Sequence, residues 1–247
     1  MSRLELDDVR VHFGGVKAVD GVSFAVESGQ LVGMVGPNGS GKSTTVNAVT
    51  RTADLTSGRI TFDGEDVSTV RPHVLRRKGL VRTFQGIRLI PELSVRDNVR
   101  LAAEQDGSRR RWRVGRGEKL PSDAACDAAL ERLDLLDVRD EAPSALPYGT
   151  QRRVEIARAL ATGPRLLLLD EPVAGMNRAE REEIAAVLTD LNSDGLSMLV
   201  IEHDLRLLLA LSDHLVVLNF GRLLAQGEPA ATAALPEVRQ AYLGSAA

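Results

Sequence analysis

Cysteine occurs once in this 247-residue chain, at Cys126, which excludes an internal disulfide and suits a reducing compartment. Long apolar runs are missing as well. No stretch approaches the roughly 18–20 residues that a membrane-spanning helix needs, so a link to a membrane is expected only through a partner. The first residues, MSRLELDDVRVHF, carry acids and strand-like alternation in place of a signal peptide's apolar stretch. Neither sign of charge dominates: 31 Lys and Arg against 34 Asp and Glu leave a net charge of -3, with no global attraction to nucleic acid. The four histidines, His12, His73, His203 and His214, fall at no metal-ligand spacing, so no histidine-built metal site is expected. No internal repeat is found. What remains is ordinary globular material, 43% apolar and 26% charged, long enough for one large domain or a core with a modest insert.

Short apolar runs alternate with helical patterns, which argues for an α/β fold with a largely parallel sheet. LVGMV (31–35) reads as a buried strand that ends in a glycine-rich turn and gives way to a helix beginning near Lys42. RITF (59–62), followed by Asp63-Gly64, reads as a hairpin strand. Residues 166–170, 197–201 and 215–218 are further buried strands, and 178–192 is a helix between two of them. Strands over 4–13 and 22–26 add an N-terminal β flank. Between about residues 86 and 162 helical stretches take over, at 95–104, 123–136 and 150–161, with no convincing strand among them; that part reads as an inserted helical subdomain. The expected layout is a single domain, 1–247, with a nucleotide-binding core and β flank in 1–85 and 163–247 and the helical part in 86–162. One biased segment, DGSRRRWRVGRGEK (106–119), carries five arginines and Trp112 and reads as a solvated loop, with a membrane-surface contact as the alternative.

GPNGSGKST, from Gly36 to Thr44, matches G-x-x-x-x-G-K-[ST]. Gly36, Pro37, Asn38, Gly39, Ser40 and Gly41 let the backbone wrap a polyphosphate with N–H groups pointing inward, and the following helix adds its positive dipole end. Lys42 can reach the β- and γ-phosphates, the Ser43 hydroxyl can ligate Mg²⁺, and Thr44 follows directly on the motif. The placement between a strand and a helix is the context the motif requires. LLLLDE (166–171) is the second element: a buried strand ending in two carboxylates puts Asp170 beside the phosphate loop as a Mg²⁺ ligand. Glu171 lies past the strand end, placed to polarise a water attacking the γ-phosphate.

With these residues in hand, the chain resembles the ATP-binding subunit of an ABC transporter over nearly its whole length. The resemblance implies a phosphate-loop NTPase (RecA-like) core, with ATP and Mg²⁺ as cofactors. It implies that Phe13 in VHFGG stacks on adenine and that Gln85 in RTFQ senses the γ-phosphate and Mg²⁺ while linking to the helical part. Asp170 and Glu171 match the Mg²⁺-binding aspartate and the catalytic glutamate. His203 in IEHD matches the switch histidine, and AGMN (174–177) the loop that touches the opposite subunit. A closer resemblance is to ATPases of branched-chain amino-acid importers, carried by FGGVKAVDGVSF, RTFQGIRLIPELSVRDNV, QRRVEIARAL, DEPVAGMN, IEHDLRLLLALSD and PEVRQAYLG. RTFQ followed by IRL resembles the larger of two ATPases, which implies a heterodimer. The further implied partners are transmembrane permease subunits and, indirectly, an external substrate-binding protein. The implied location is the cytoplasmic face of the membrane, with no nucleic acid expected.

One motif departs from the pattern. Where the family's signature reads Leu-Ser-Gly-Gly-Gln, this chain has Leu146, Pro147, Tyr148, Gly149 and Thr150. Pro147 offers neither hydroxyl nor backbone N–H, so two potential phosphate donors are absent. Gly149 keeps a close-approach position and the helix dipole remains, which points to a weaker clasp for ATP and to two unequal sites in a heterodimer. Related importers for urea, amides or aromatic acids stand as alternatives. An ABC-type protein acting on ribosomes or DNA would be expected to carry two cassettes or long coiled coils, and an unrelated phosphate-loop kinase leaves Gln85, QRRVEIARAL and His203 unexplained.

Overall fold

The computed structural model describes residues 2–83, 86–104, 113–114, 118–119 and 122–243. The chain opens with two long antiparallel strands, β1 (Ser2–Phe13) and β2 (Val16–Glu27), and continues into β3 (Leu31–Val35) and α1 (Lys42–Val49). A hairpin of β4 (Ser57–Phe62) and β5 (Glu65–Asp66) follows, then α2 (Pro72–Lys78), β6 (Leu80–Arg82) and α3 (Val95–Glu104). Two very short strands, β7 (Arg113–Val114) and β8 (Glu118–Lys119), precede α4 (Ser122–Arg132) and α5 (Tyr148–Leu160). The chain then runs through β9 (Leu166–Asp170), α6 (Arg178–Ser193), β10 (Ser197–Ile201), α7 (Leu205–Leu211), β11 (His214–Asn219), β12 (Arg222–Gly227), α8 (Pro229–Ala234) and α9 (Pro236–Leu243).

The central sheet has the order β12-β11-β3-β10-β9-β6. Its β11, β3, β10, β9 and β6 pair in parallel, and β12 closes one edge antiparallel. Strands 31–35, 166–170 and 197–201 are buried along their whole length, as covered parallel strands must be. Their side chains alternate between two apolar layers. Leu31, Val35, Leu167, Leu169, Met198 and Val200 face one, and Val32, Met34, Leu166, Leu168, Leu199 and Ile201 the other. The second layer is closed by the antiparallel sheet β2-β1-β4-β5, the expected β flank. The first is continuous with Val95 and Val99 of α3, Cys126 and Leu130 of α4, and Ile156 and Leu160 of α5. Among the described residues no helix is long and apolar enough to cross a membrane.

Several elements differ from expectation for local reasons. The strand expected at 22–26 begins at Val16, because Gly21 at φ 83° and three interior register irregularities in the β1–β2 ladder hide its alternation. The helix expected to reach 136 stops at Arg132, with Asp134 at φ 53° turning the chain. The segment 106–119 is not a loop throughout: Arg113 pairs with Lys119 and Val114 with Glu118. The rest of that segment, Trp112 included, lies outside the described residues. The Asp63-Gly64 turn is as expected, both residues holding positive φ, 51° and 78°, as a tight primed hairpin turn requires.

Candidate functional site

Register brings the site together. Ile201 of β10 lies opposite both Met34 of β3 and Asp170 of β9, so three parallel strands end at one level. Open α/β sheets bind their ligands beyond such carboxyl ends. From β3 the chain turns through 36–41 into α1. A Cβ on Gly36 would sit 2.2 Å from the Leu218 carbonyl oxygen, and one on Gly41, at φ 101°, would sit 2.6 Å from that of Ala18. Both glycines are therefore demanded by close backbone approach, which presses the loop against β11 and β2.

Lys42 is 6% exposed. Its Nζ donates to the carbonyls of Gly36 at 2.7 Å and Pro37 at 3.0 Å, so the ammonium lies across the loop. Burial pushes its pKa below the usual lysine range, while the carboxylates of Glu171 and Asp170 pull it back up. Ser40 Oγ is buried with no hydrogen-bond partner in the chain. Ser43 is exposed at the start of α1, and Thr44 is half-buried beside it. A loop that cannot admit a methyl group, a desolvated ammonium and an unmatched buried hydroxyl together fit a polyphosphate.

Asp170 ends β9, 5% exposed. Arg82 Nη2 donates to its Oδ2 at 2.8 Å, and Arg82 Nη1 donates to Asn47 Oδ1 of α1 at 2.7 Å, tying β6, β9 and α1 into one corner. The sequence reading missed Arg82. A buried carboxylate beside a lysine, with an exposed hydroxyl on Ser43 at the helix start, is an oxygen donor set suited to a hard cation such as Mg²⁺. Glu171 adopts φ 49°, unusual for a residue with a side chain, and its N–H donates to the Ile201 carbonyl at 2.9 Å. Glu171 Oε1 and His203 Nε2 are 2.7 Å apart. Residues 32 apart in sequence thus meet because β9 and β10 are neighbours.

Phe13 lies at the end of β1, 57% exposed, on the hairpin whose β2 supports Gly41. Gln85 lies outside the described residues. Pro147 precedes α5, with no side-chain cap, and Tyr148 begins it half-exposed. Gly149 is buried, and a Cβ there would meet Glu180 at 3.1 Å. A side chain there would press on Glu180, which forms the reciprocal capping box of α6 with Asn177. Thr150 accepts a long contact of 3.5 Å from Arg153. The sequence reading also missed Glu202, a buried carboxylate next to His203; its one signal is an acid directly after the apolar run MLVI.

The family model for ABC transporters matches residues 19–174. The high-affinity branched-chain amino acid transport ATP-binding protein BraF of Pseudomonas aeruginosa is 40% identical, covering 100% of both chains. The protein LivG of Salmonella typhimurium, with the same description, is 37% identical over 98% of each. A crystal structure of the ADP conformation of an ATP-binding cassette from an ABC transporter superposes with a TM-score of 0.87, at 31% identity and 99% coverage of both chains. The chain belongs to the ABC transporter family, as one of its ATP-binding, ATP-hydrolysing cassettes.

Proposed function

We propose that this chain powers an importer of branched-chain amino acids, working at the cytoplasmic face of a membrane in a pair with a second ATPase and against permease subunits. The observation that carries the chemistry is the Glu171–His203 contact of 2.7 Å beside the Lys42 loop. Backbone N–H groups of the 36–41 loop other than Pro37 and the Lys42 ammonium hold the β- and γ-phosphates, and Phe13 offers its exposed ring to adenine. Glu171 accepts the proton of the attacking water, and His203 fixes the carboxylate's direction. Ser43, Asp170 and Gln85 are the residues that hold Mg²⁺, which when bound neutralises charge on the phosphate oxygens. The identity to BraF and LivG supports the choice of cargo.

Pro147, Tyr148, Gly149 and Thr150 meet the nucleotide of the opposite subunit. A missing hydrogen bond to a charged phosphate weakens that clasp by about 1.5–3 kcal/mol, so the two sites of a heterodimer bind ATP unequally. Titration of the assembled complex then gives two distinguishable affinities; equal sites overturn the asymmetry. The direct test of the function is uptake of labelled leucine by cells with and without the gene. Loss of uptake is expected, and unchanged uptake refutes the cargo.

The permease docks on the groove between α2 and β6 on one side and α3 and α5 on the other. A cavity of about 350 Å³ lies there, lined by Leu75, Leu101, Arg76, Arg82, Arg88 and Arg158 among others. Asn98 ties the segment that follows Arg88 to α3, accepting from the N–H of Ile90 and donating to the carbonyls of Ile90, Leu93 and Ser94. Arg88 is exposed at this cavity, and Arg96 of α3 lies against Asp127 of α4 at 3.3 Å. Arg88→Glu therefore abolishes co-purification with the permease while the isolated chain still binds ATP. Normal co-purification of this variant places the dock elsewhere.

A further inference from the structure

The segment after Glu171 and the segment that carries His203 are joined by side chains outside the proposed chemistry. Glu202 is 4% exposed at the end of β10. Its Oε1 accepts from the Val173 N–H at 3.0 Å and its Oε2 from the His203 N–H at 3.1 Å. Its own N–H donates to the Met34 carbonyl at 3.3 Å, which fixes it to β3 below the phosphate loop. A second tie runs from α6. Arg181 Nε donates to the Met176 carbonyl at 3.0 Å, and its Nη1 meets Asp204 Oδ2 at 3.4 Å. The two ties bracket the turn 173–176 on one side and His203 on the other.

Burying a carboxylate in this position is costly. Burial raises the pKa of Glu202, the two backbone N–H groups oppose the rise, the Glu171 charge adds to it and His203 opposes it. An apolar residue ending β10 would avoid that cost, but it would leave the N–H groups of Val173 and His203 without this acceptor. The carboxylate geometry matters because each oxygen serves a different loop.

We propose that Glu202 is a positioning residue for hydrolysis: its two oxygens hold the Val173 and His203 backbones in the register that sets Glu171 against His203, without touching the nucleotide. The inference rests on the reading of Glu171 and His203 given above. Loosening Glu202 lets the base and its orienting histidine separate, while the phosphate loop, built from β3 and α1, is untouched.

The test uses the full chain, in its assembled complex for turnover and alone for amide exchange. Glu202→Gln keeps the shape but turns one acceptor into a donor; Glu202→Ala removes both. Misplacement of a catalytic pair predicts kcat lower by about tenfold in the first and about a hundredfold in the second, with KM for ATP nearly constant. Without nucleotide, the amides of both Val173 and His203 should exchange about tenfold faster or more in the alanine variant, and one of the two in the glutamine variant, which keeps a single acceptor; Leu199 in the middle of β10 should not change. Unaltered exchange at Val173 and His203, or unaltered kcat, overturns the proposal. If the alanine variant does not fold, exchange and kcat in the glutamine variant decide. Glu171→Gln and His203→Ala run alongside: wild-type turnover in both sinks the reading of the site, whereas their failure beside a fully active Glu202→Ala sinks the role of Glu202 alone.

Discussion

Glu171→Gln will turn over ATP about 10²–10⁴-fold more slowly than the wild type, the range a positioned general base contributes, while still binding ATP. Glutamine is close to isosteric, so the Glu171 backbone can keep its φ of 49° and its N–H bond to the Ile201 carbonyl. What it lacks is a group able to take the proton of water. Its amide can still meet His203, since the imidazole can donate or accept, so the loop need not move. Affinity should hold or rise: the change removes a negative charge felt by Lys42, at a loop about to receive a tetra-anionic ligand. ATP therefore accumulates uncleaved on both faces of a closed pair. Mass measurement with ATP, with ADP and without nucleotide should show a dimer with ATP alone. Wild-type turnover would assign the base elsewhere; slow turnover without a dimer would locate the defect in the Pro147–Thr150 clasp or in a missing partner ATPase.

Two kinds of information were legible in the sequence. LVGMV and LLLLD announce strands buried on both faces because an uninterrupted apolar run bounded by glycine or acid has few other uses. GPNGSGKST announces its own geometry, since Gly36 and Gly41 are the positions where the structure leaves no room for a methyl group. The less legible parts depend on neighbours that sequence does not place. The strand Arg222–Gly227 is a half-buried edge with mixed side chains, and its pairing with β11 is what makes it a strand. Leu80–Arg82 is three residues long and is defined by β9 beside it. The same holds in the site. Arg82 and Asp170 are 88 residues apart, and Val173 and Glu202 are 29 apart; each contact exists because parallel strands end together. Gly149 was read for phosphate approach, yet Glu180 of a helix that begins 29 residues on also crowds that position.

A charge within the apolar layer carries the other large prediction. Arg152→Met should destabilise the chain by about 3–5 kcal/mol, the usual cost of breaking a buried ion pair from one side. Arg152 is fully buried on α5, and its Nη1 donates to Glu155 Oε2 at 2.6 Å, one helical turn on. Methionine fills similar space with a flexible apolar chain, so packing changes less than charge. Glu155, itself buried, keeps the electrostatic support of Arg158 next to it, which sets the loss at the lower end of that range. Against a total stability of about 5–15 kcal/mol, the change should be plain as a fall in the urea midpoint. Adding Glu155→Gln should recover part of the loss, because the buried negative charge goes with it; a double variant that is simply additive would mean the two side chains act independently. The functional consequence follows from where α5 begins. The helix carries Tyr148, Gly149 and Thr150 at its start, while the phosphate loop hangs on β3 and α1, so Arg152→Met should leave ATP affinity of the single chain intact and weaken the ATP-driven pairing of two.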